Sequence, residues 1–301
     1  MSNMVLLVAC LVLGIVLRAS GKLPANAPAT LNGFIVNVAL PALVLAHVHG
    51  TEPRVELIGA VLMPWLLFIL GVAVFWLLAQ TLHFSRGTTG ALMMLGGLGN
   101  TSFVGLPMIE SFYGSAYLSI GILIDQLGTY LVLSTLGIAV ACLYSESRAS
   151  PREIAWRIAT FPPLLAMLVA LALTPLTFPE WVSAALHRLG GTLAPLALIS
   201  VGMRLRRSAL ADNRAALATG LGFKLFLGPA MLVMVYAGLM SEEPSVVRVT
   251  LFESAMAPQI GASIVAIQHN LNPPLVTLMV GIGTVLSFVT LPLWWAFLGS
   301  G

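Results

Sequence analysis

The sequence is poor in charge. Only 8% of its 301 residues are Asp, Glu, Lys or Arg, fourteen basic and eleven acidic, while 58% are apolar. A soluble domain runs at about 25% charged, so there is too little charge here to solvate a compact body, and a mean hydropathy of +0.99 agrees. This excludes a soluble enzyme, a nucleic-acid binder and a disordered chain. Cysteine is scarce as well. Cys10 and Cys142 both fall inside apolar runs, which argues against a disulfide framework and makes them small packing residues. No basic segment precedes the first apolar run, so that run reads as a retained helix rather than a cleaved signal. His47, His49, His83, His187 and His269 have no close ligand spacing, so neither metal nor cofactor is expected.

What is present is a series of long apolar runs. A helix needs roughly 20 apolar residues to cross a bilayer, and runs of that kind lie near 4–19, 31–49, 56–81, 88–113, 117–143, 160–176, 181–202, 215–240, 246–268 and 274–298. They are continuous rather than alternating, which excludes a β-barrel. The expected fold is an all-α polytopic membrane protein of ten spans. Its cations divide unevenly between the two faces. Arg18, Lys22, Arg86, Arg148, Arg152, Arg157, Arg204, Arg206, Arg207 and Arg214 share one face, whereas Arg54, Arg188 and Arg248 occupy the other. The first face is therefore cytoplasmic, with both termini outside.

The polar stretch from Tyr144 to Thr160 divides the spans five and five, giving halves 1–150 and 151–301. Pro41 and Pro195 lie in the second span of each half, 154 residues apart. The fourth span of each half is interrupted, by Gly96-Gly97-Leu98-Gly99-Asn100 through Gly105-Leu106-Pro107 and by Ala257-Pro258-Gln259-Ile260-Gly261; Gly105 and Gly261 are 156 residues apart. Five is odd, so the second half must be inverted relative to the first. Inverted repeats with broken helices are the arrangement of secondary transporters. Helices restarting near Pro107 and Gly261 would point N–H groups and positive dipole ends at a shared midplane site, which favours an anion. Asn100, Thr101 and Gln259 stand at these breaks, either as caps alone or as caps that also contact the ligand.

Four ionisable residues fall within spans. Asp125, beside Gln126, is the best candidate for a proton or ion carrier, while Glu110 reads as a solvated helix end. Lys224 and Glu253 are possible pathway residues, and Lys224 also has the reach to snorkel. Asn37, one turn before Pro41, either satisfies a carbonyl freed by that proline or lines the pathway.

The run Asn100-Thr-Ser-Phe-Val-Gly-Leu-Pro107 with its continuation to Tyr113-Gly114 resembles the fourth-helix crossover motif of the auxin efflux carrier family. Asn37 to Ala42, Ala194 to Gly202, Lys224 to Pro229, Ala257-Pro-Gln and Ala266 to Pro273 resemble further helices of that family in order. The resemblance implies crossed broken helices 4 and 9, as in bile-acid/sodium symporters. It also implies an elevator movement of helices 3–5 and 8–10 against a scaffold of helices 1, 2, 6 and 7, in a homodimer. By motif, Asn100 would contact the substrate carboxylate, Pro107 and Pro258 would form the crossover, and Gln126 would line the site. The short central loop matches bacterial members, placed in the inner membrane and associated with malonate, malate and similar acids, rather than plant auxin exporters.

The expected partners are thus a small organic anion, membrane lipid and a coupling ion, with a proton through Asp125 favoured over Na⁺ and uniport still open. Nucleic acid is not expected. An anion channel is the main alternative. An intramembrane enzyme has less support, because the only other aspartate, Asp212, lies in a loop and no acidic cluster suits Mg²⁺. The orientation is testable by cysteine labelling at Ser2 and Ser147, which should react from the outer and the cytoplasmic side respectively. Labelling of both from one side would sink the ten-span layout.

Overall fold

A computed structural model describes residues 2–48, 58–145, 150–174, 176–204, 207–239 and 244–299. Arg54, Arg148, Arg206, His49 and Ser147 of the sequence reading lie outside these. In chain order the helices are α1 (Ser2–Ser20), α2 (Ala27–Phe34), α3 (Leu40–Val48), α4 (Ile58–Leu82), α5 (Arg86–Gly97), α6 (Leu106–Phe112), α7 (Leu118–Leu123), α8 (Tyr130–Val132) and α9 (Ile138–Tyr144). There follow α10 (Pro151–Ala159), α11 (Pro162–Ala172), α12 (Glu180–Gly191), α13 (Leu193–Arg204), α14 (Arg207–Gly222), α15 (Gly228–Leu239), α16 (Pro244–Ser254), α17 (Ile260–Gln268) and α18 (Pro273–Leu298). Widened π turns join several of them: Ile35–Ala39, Thr101–Gly105, Ile124–Thr129, Leu133–Gly137 and Phe223–Leu227. No strand occurs among the described residues.

Among the described residues six helical runs are long and apolar enough to cross a membrane: Ala27–Ala46, Ile58–Leu82, Leu118–Tyr144, Glu180–Arg204, Leu210–Ala237 and Pro273–Leu298. A seventh is formed if α10 and α11, bent by 51° at their junction, count as one. The polar stretch before that junction, which reads as a connection in the sequence, is helical from Pro151. Ser150 accepts from the Glu153 N–H while the Glu153 carboxylate accepts from the Ser150 N–H, a reciprocal cap with proline in the first turn.

The chain divides into two compact units, residues 1–52 with 149–205 and residues 53–148 with 206–301. The first unit is built on close helix contact. A Cβ on Gly14 would lie 2.9 Å from Gly202 Cα, so α1 and α13 touch backbone to backbone. Small residues allow such approach where lipid gives no hydrophobic drive between helices. The Ser200 hydroxyl donates to Asn32 Oδ1 at 2.7 Å and ties α13 to α2, and Arg18 donates to the Met203 carbonyl.

The second unit packs α4 against α5, where Gly97 faces Phe68 and Gly96 faces Phe75 and Phe223. Tyr236 of α15 donates to the Gly59 carbonyl at 2.6 Å, and Trp294 of α18 donates to the Leu225 carbonyl at 2.8 Å. Asn272, at φ +42, caps α18 through the Leu275 N–H and reaches Thr88 and Asn213 with its amide. The side chains left exposed on these helices are largely apolar, Trp76, Leu77, Val289 and Leu293 among them, as a lipid-facing surface requires.

Replacing Gly202 with Val forces α1 and α13 apart. It should lower stability by about 1–3 kcal/mol, the range for overpacking a tight contact, read as a lower melting temperature in detergent, while Gly191→Val, in open space, should change it little.

Candidate functional site

Both interrupted helices break in the second unit, and the breaks pair with each other. After α5 the chain turns extended at Leu98, and after α16 it runs irregularly from Ala255 to Gln259. Gly99 and Pro258 form an isolated antiparallel bridge: the Asn100 N–H donates to the Ala257 carbonyl at 2.7 Å, and the Gln259 N–H donates to the Leu98 carbonyl at 3.1 Å. Gly99 and Pro258 thereby occupy the position whose own N–H groups are not used in the pairing. Proline's missing donor costs nothing there.

From the crossing both chains resume as helices. Asn100 caps the first, its Oδ1 accepting from the Phe103 N–H at 3.1 Å, and Gln259 stands at the cap position of α17. The restart therefore lies at Thr101, six residues before Pro107, rather than at the proline. Asn100 supplies the cap, and the widened turn Thr101–Gly105 precedes the proline ring, which then sits at the second position of α6. Gly261 is likewise the second residue of α17. The two N-terminal ends meet at the bridge, with their first N–H groups left over from helical bonding.

The side chains around the crossing are buried and only partly satisfied. Asn100 Nδ2, Gln126 Oε1 and Gln259 Oε1 have no hydrogen-bond partner. Asp125 is well supplied: Oδ1 accepts from the Thr101 hydroxyl at 2.6 Å and the Ser102 hydroxyl at 2.7 Å, and Oδ2 accepts from the Gln126 amide at 2.7 Å. Thr101 is also within 3.1 Å of the Thr129 hydroxyl. Lys224 donates to the Ser254 carbonyl at 2.7 Å, and its Nζ would lie 3.2 Å from a Cβ on Gly99, so the ammonium sits against the crossing rather than snorkelling. Asp125, Lys224 and Glu253 are each 0% exposed.

The structure thus gathers Asn100, Thr101, Asp125, Gln126, Lys224, Glu253, Pro258 and Gln259 into one unit, with Gly105 against the Glu253 carboxyl. It leaves out Asn37, which lies in the first unit on an exposed face and donates to the Gly33 carbonyl at 2.8 Å. Asn37 satisfies a carbonyl four residues back, not one freed by Pro41. Glu110 is exposed at the end of α6. Sequence reasoning missed Ser102, Thr129 and the buried Tyr130, which sits beside Ser102 and Asp125. Their signal was available, since Ser102 follows Thr101 and Thr129 falls one turn after Asp125, but single hydroxyls in apolar helices carry little weight alone. Among the described residues no group of three His, Cys, Asp or Glu is placed to hold a metal.

Comparison with known proteins gives a coherent result. A family model described as "Membrane transport protein" matches residues 1–295. An uncharacterized transporter of Methanothermobacter thermautotrophicus is 30% identical over 294 residues, covering 94% of this chain and 93% of that protein. An uncharacterized transporter of Methanocaldococcus jannaschii is 24% identical over 302 residues, covering 97% of each.

The Asp125 support can be probed directly. Thr101→Val removes one of its donors at nearly constant shape and should destabilise the protein by about 1–3 kcal/mol, read as a lower melting temperature. Thr101→Ser keeps the hydroxyl and should recover most of the loss.

Proposed function

The chain belongs to the membrane transport protein family, that of the auxin efflux carriers, and from that premise we propose that it carries a small organic anion, gripped by its carboxylate where the two restarting helices meet. The observation that supports this above all is the paired break. Two helix N-termini with their positive dipole ends converge beside the unpartnered Asn100 amide, and a carboxylate supplies the acceptors that both lack. Gln126 and Gln259 orient the rest of the molecule. An amide does this without the desolvation cost of a full charge.

In this reading the chain crosses the membrane ten times as two inverted five-span halves, both termini outside, which accounts for the cation asymmetry. The second unit, carrying the crossing, is the moving part of an elevator, and the first is its scaffold. Support for that division is that each unit is compact and assembled from both halves of the chain. Malonate and malate are the substrate class implied by the family resemblance. Differential affinity between outward and inward states is not needed for such a carrier, only access to the same site from either side.

The test is a panel of radiolabelled mono- and dicarboxylates in proteoliposomes. A carrier saturates and shows counterflow, whereas an anion channel conducts without exchange. Asn100→Ala should weaken the apparent affinity by about 1–3 kcal/mol, or roughly 5- to 150-fold, as expected for a lost buried hydrogen-bond partner. Parental affinity for every acid transported would remove Asn100 from the site.

A further inference from the structure

Of the three acidic or basic side chains that are fully buried among the described residues, two are chemically accounted for. Asp125 has three side-chain donors, and Lys224 has a carbonyl acceptor. Glu253 has neither. Both of its carboxyl oxygens are buried with no hydrogen-bond partner. The reason is visible in what faces them. A Cβ on Gly105 would lie 2.6 Å from Oε2, and a Cβ on Gly121 would lie 3.5 Å from Oε1. Glycine at both places makes room for the carboxyl and offers it no side-chain donor.

The other elements packed against α16 add no further charge. Neither α4 nor α18 contains an ionisable residue. Tyr236 of α15 is engaged with the Gly59 carbonyl. Glu110 of α6 is exposed, the Tyr113 ring meets Phe252 edge-on, and on α16 itself Arg248 lies more than one turn before Glu253. The groups that act on Glu253 electrostatically are Asp125 and Lys224. With all three ionised, two negative charges and one positive leave the buried cluster at −1. An arriving carboxylate would take it to −2 in a region where unpaired charge is costly. One proton on Glu253 cancels the cluster's own −1, because Asp125 and Lys224 then balance, and only the substrate's charge remains.

We infer that Glu253, rather than Asp125, is the site that takes up the proton accompanying the organic anion. The inference rests on the carboxylate-carrier reading above. A hydronium ion at the loading face gives its proton to the Glu253 carboxylate, forming an O–H bond and leaving water. At the other face the proton returns to water as the anion departs. Asp125, held by Thr101, Ser102 and Gln126, keeps its charge and positions the turn that bears Gln126.

The experiment uses the whole protein in proteoliposomes with the membrane potential clamped and radiolabelled malonate or malate as probe. A pH gradient of one unit, alkaline inside, should give about tenfold accumulation at one proton per anion. Glu253→Gln should lose that accumulation and the accompanying acidification of the lumen, so that the tenfold gradient falls to about unity, while measurable malonate–malate exchange at equal pH shows that the variant is folded. Glu253→Asp, which keeps a carboxyl, should retain coupled uptake. In the purified wild-type protein, infrared difference spectra on malonate addition should contain a carboxylic-acid C=O band that Glu253→Gln lacks, a readout that does not depend on transport. Undiminished pH-driven accumulation in Glu253→Gln, a drive by Na⁺ in place of the pH gradient, or the same infrared band in Glu253→Gln and its loss in Asp125→Asn would each overturn the assignment. If wild type exchanges neither acid, the carboxylate reading fails first and takes this inference with it, an outcome separate from a Glu253-specific failure.

Discussion

Within a bilayer a helix can stop only where something other than water satisfies its backbone. Everything distinctive about the second unit follows from how that demand is met. Leu98 and Asn100 bond to Gln259 and Ala257, so each break is the partner of the other. Alone, either break would leave polar main chain unpaired in a buried interior. Pairing two interruptions replaces two costs with one short antiparallel bridge, and it leaves the side chains of Asn100 and Gln259 out of the pairing.

The widened turns do related work at the level of side chains. Three of the five carry the polar residues of the site: Thr101 and Ser102 lie in one, Asp125, Gln126 and Thr129 in the second, and Lys224 in the third. Inserting one residue into a helical turn rotates the following side chains and loosens the backbone ladder. The effect here is to bring hydroxyls from one helix and a carboxylate from another to hydrogen-bonding distance inside an otherwise apolar bundle. Aromatic and glycine contacts around them, Phe75 on Phe223 and Gly96 beneath both, hold the frame against which these turns sit.

Much of this was open to inspection in the sequence, for identifiable reasons. Low charge and long apolar runs dictate a membrane chain, and Gly-Gly-Leu-Gly-Asn and Ala-Pro-Gln cannot continue a regular helix, so both interruptions are visible. The restart of the first helix was misplaced at Pro107, because proline is a stronger sequence mark than an asparagine cap. The helix over Pro151–Ala159 was hidden for a different reason, since its charged residues look like a loop until Ser150 and Glu153 are recognised as a reciprocal cap. Widened turns have no sequence signature at all. They are set by tertiary packing, and with them goes the distinction between a carboxylate that is fully supplied, Asp125, and one that is not, Glu253.

The bridge is made entirely of main-chain atoms. Ala257 contributes a carbonyl, Gln259 an N–H, and neither lends its side chain to the pairing. Structural duty and chemical identity are therefore separated at the very positions that border the site. A change of side chain at 259, proline apart, deletes no bond of the crossing, so the chemistry displayed there can diverge while the pairing beneath it is inherited unchanged.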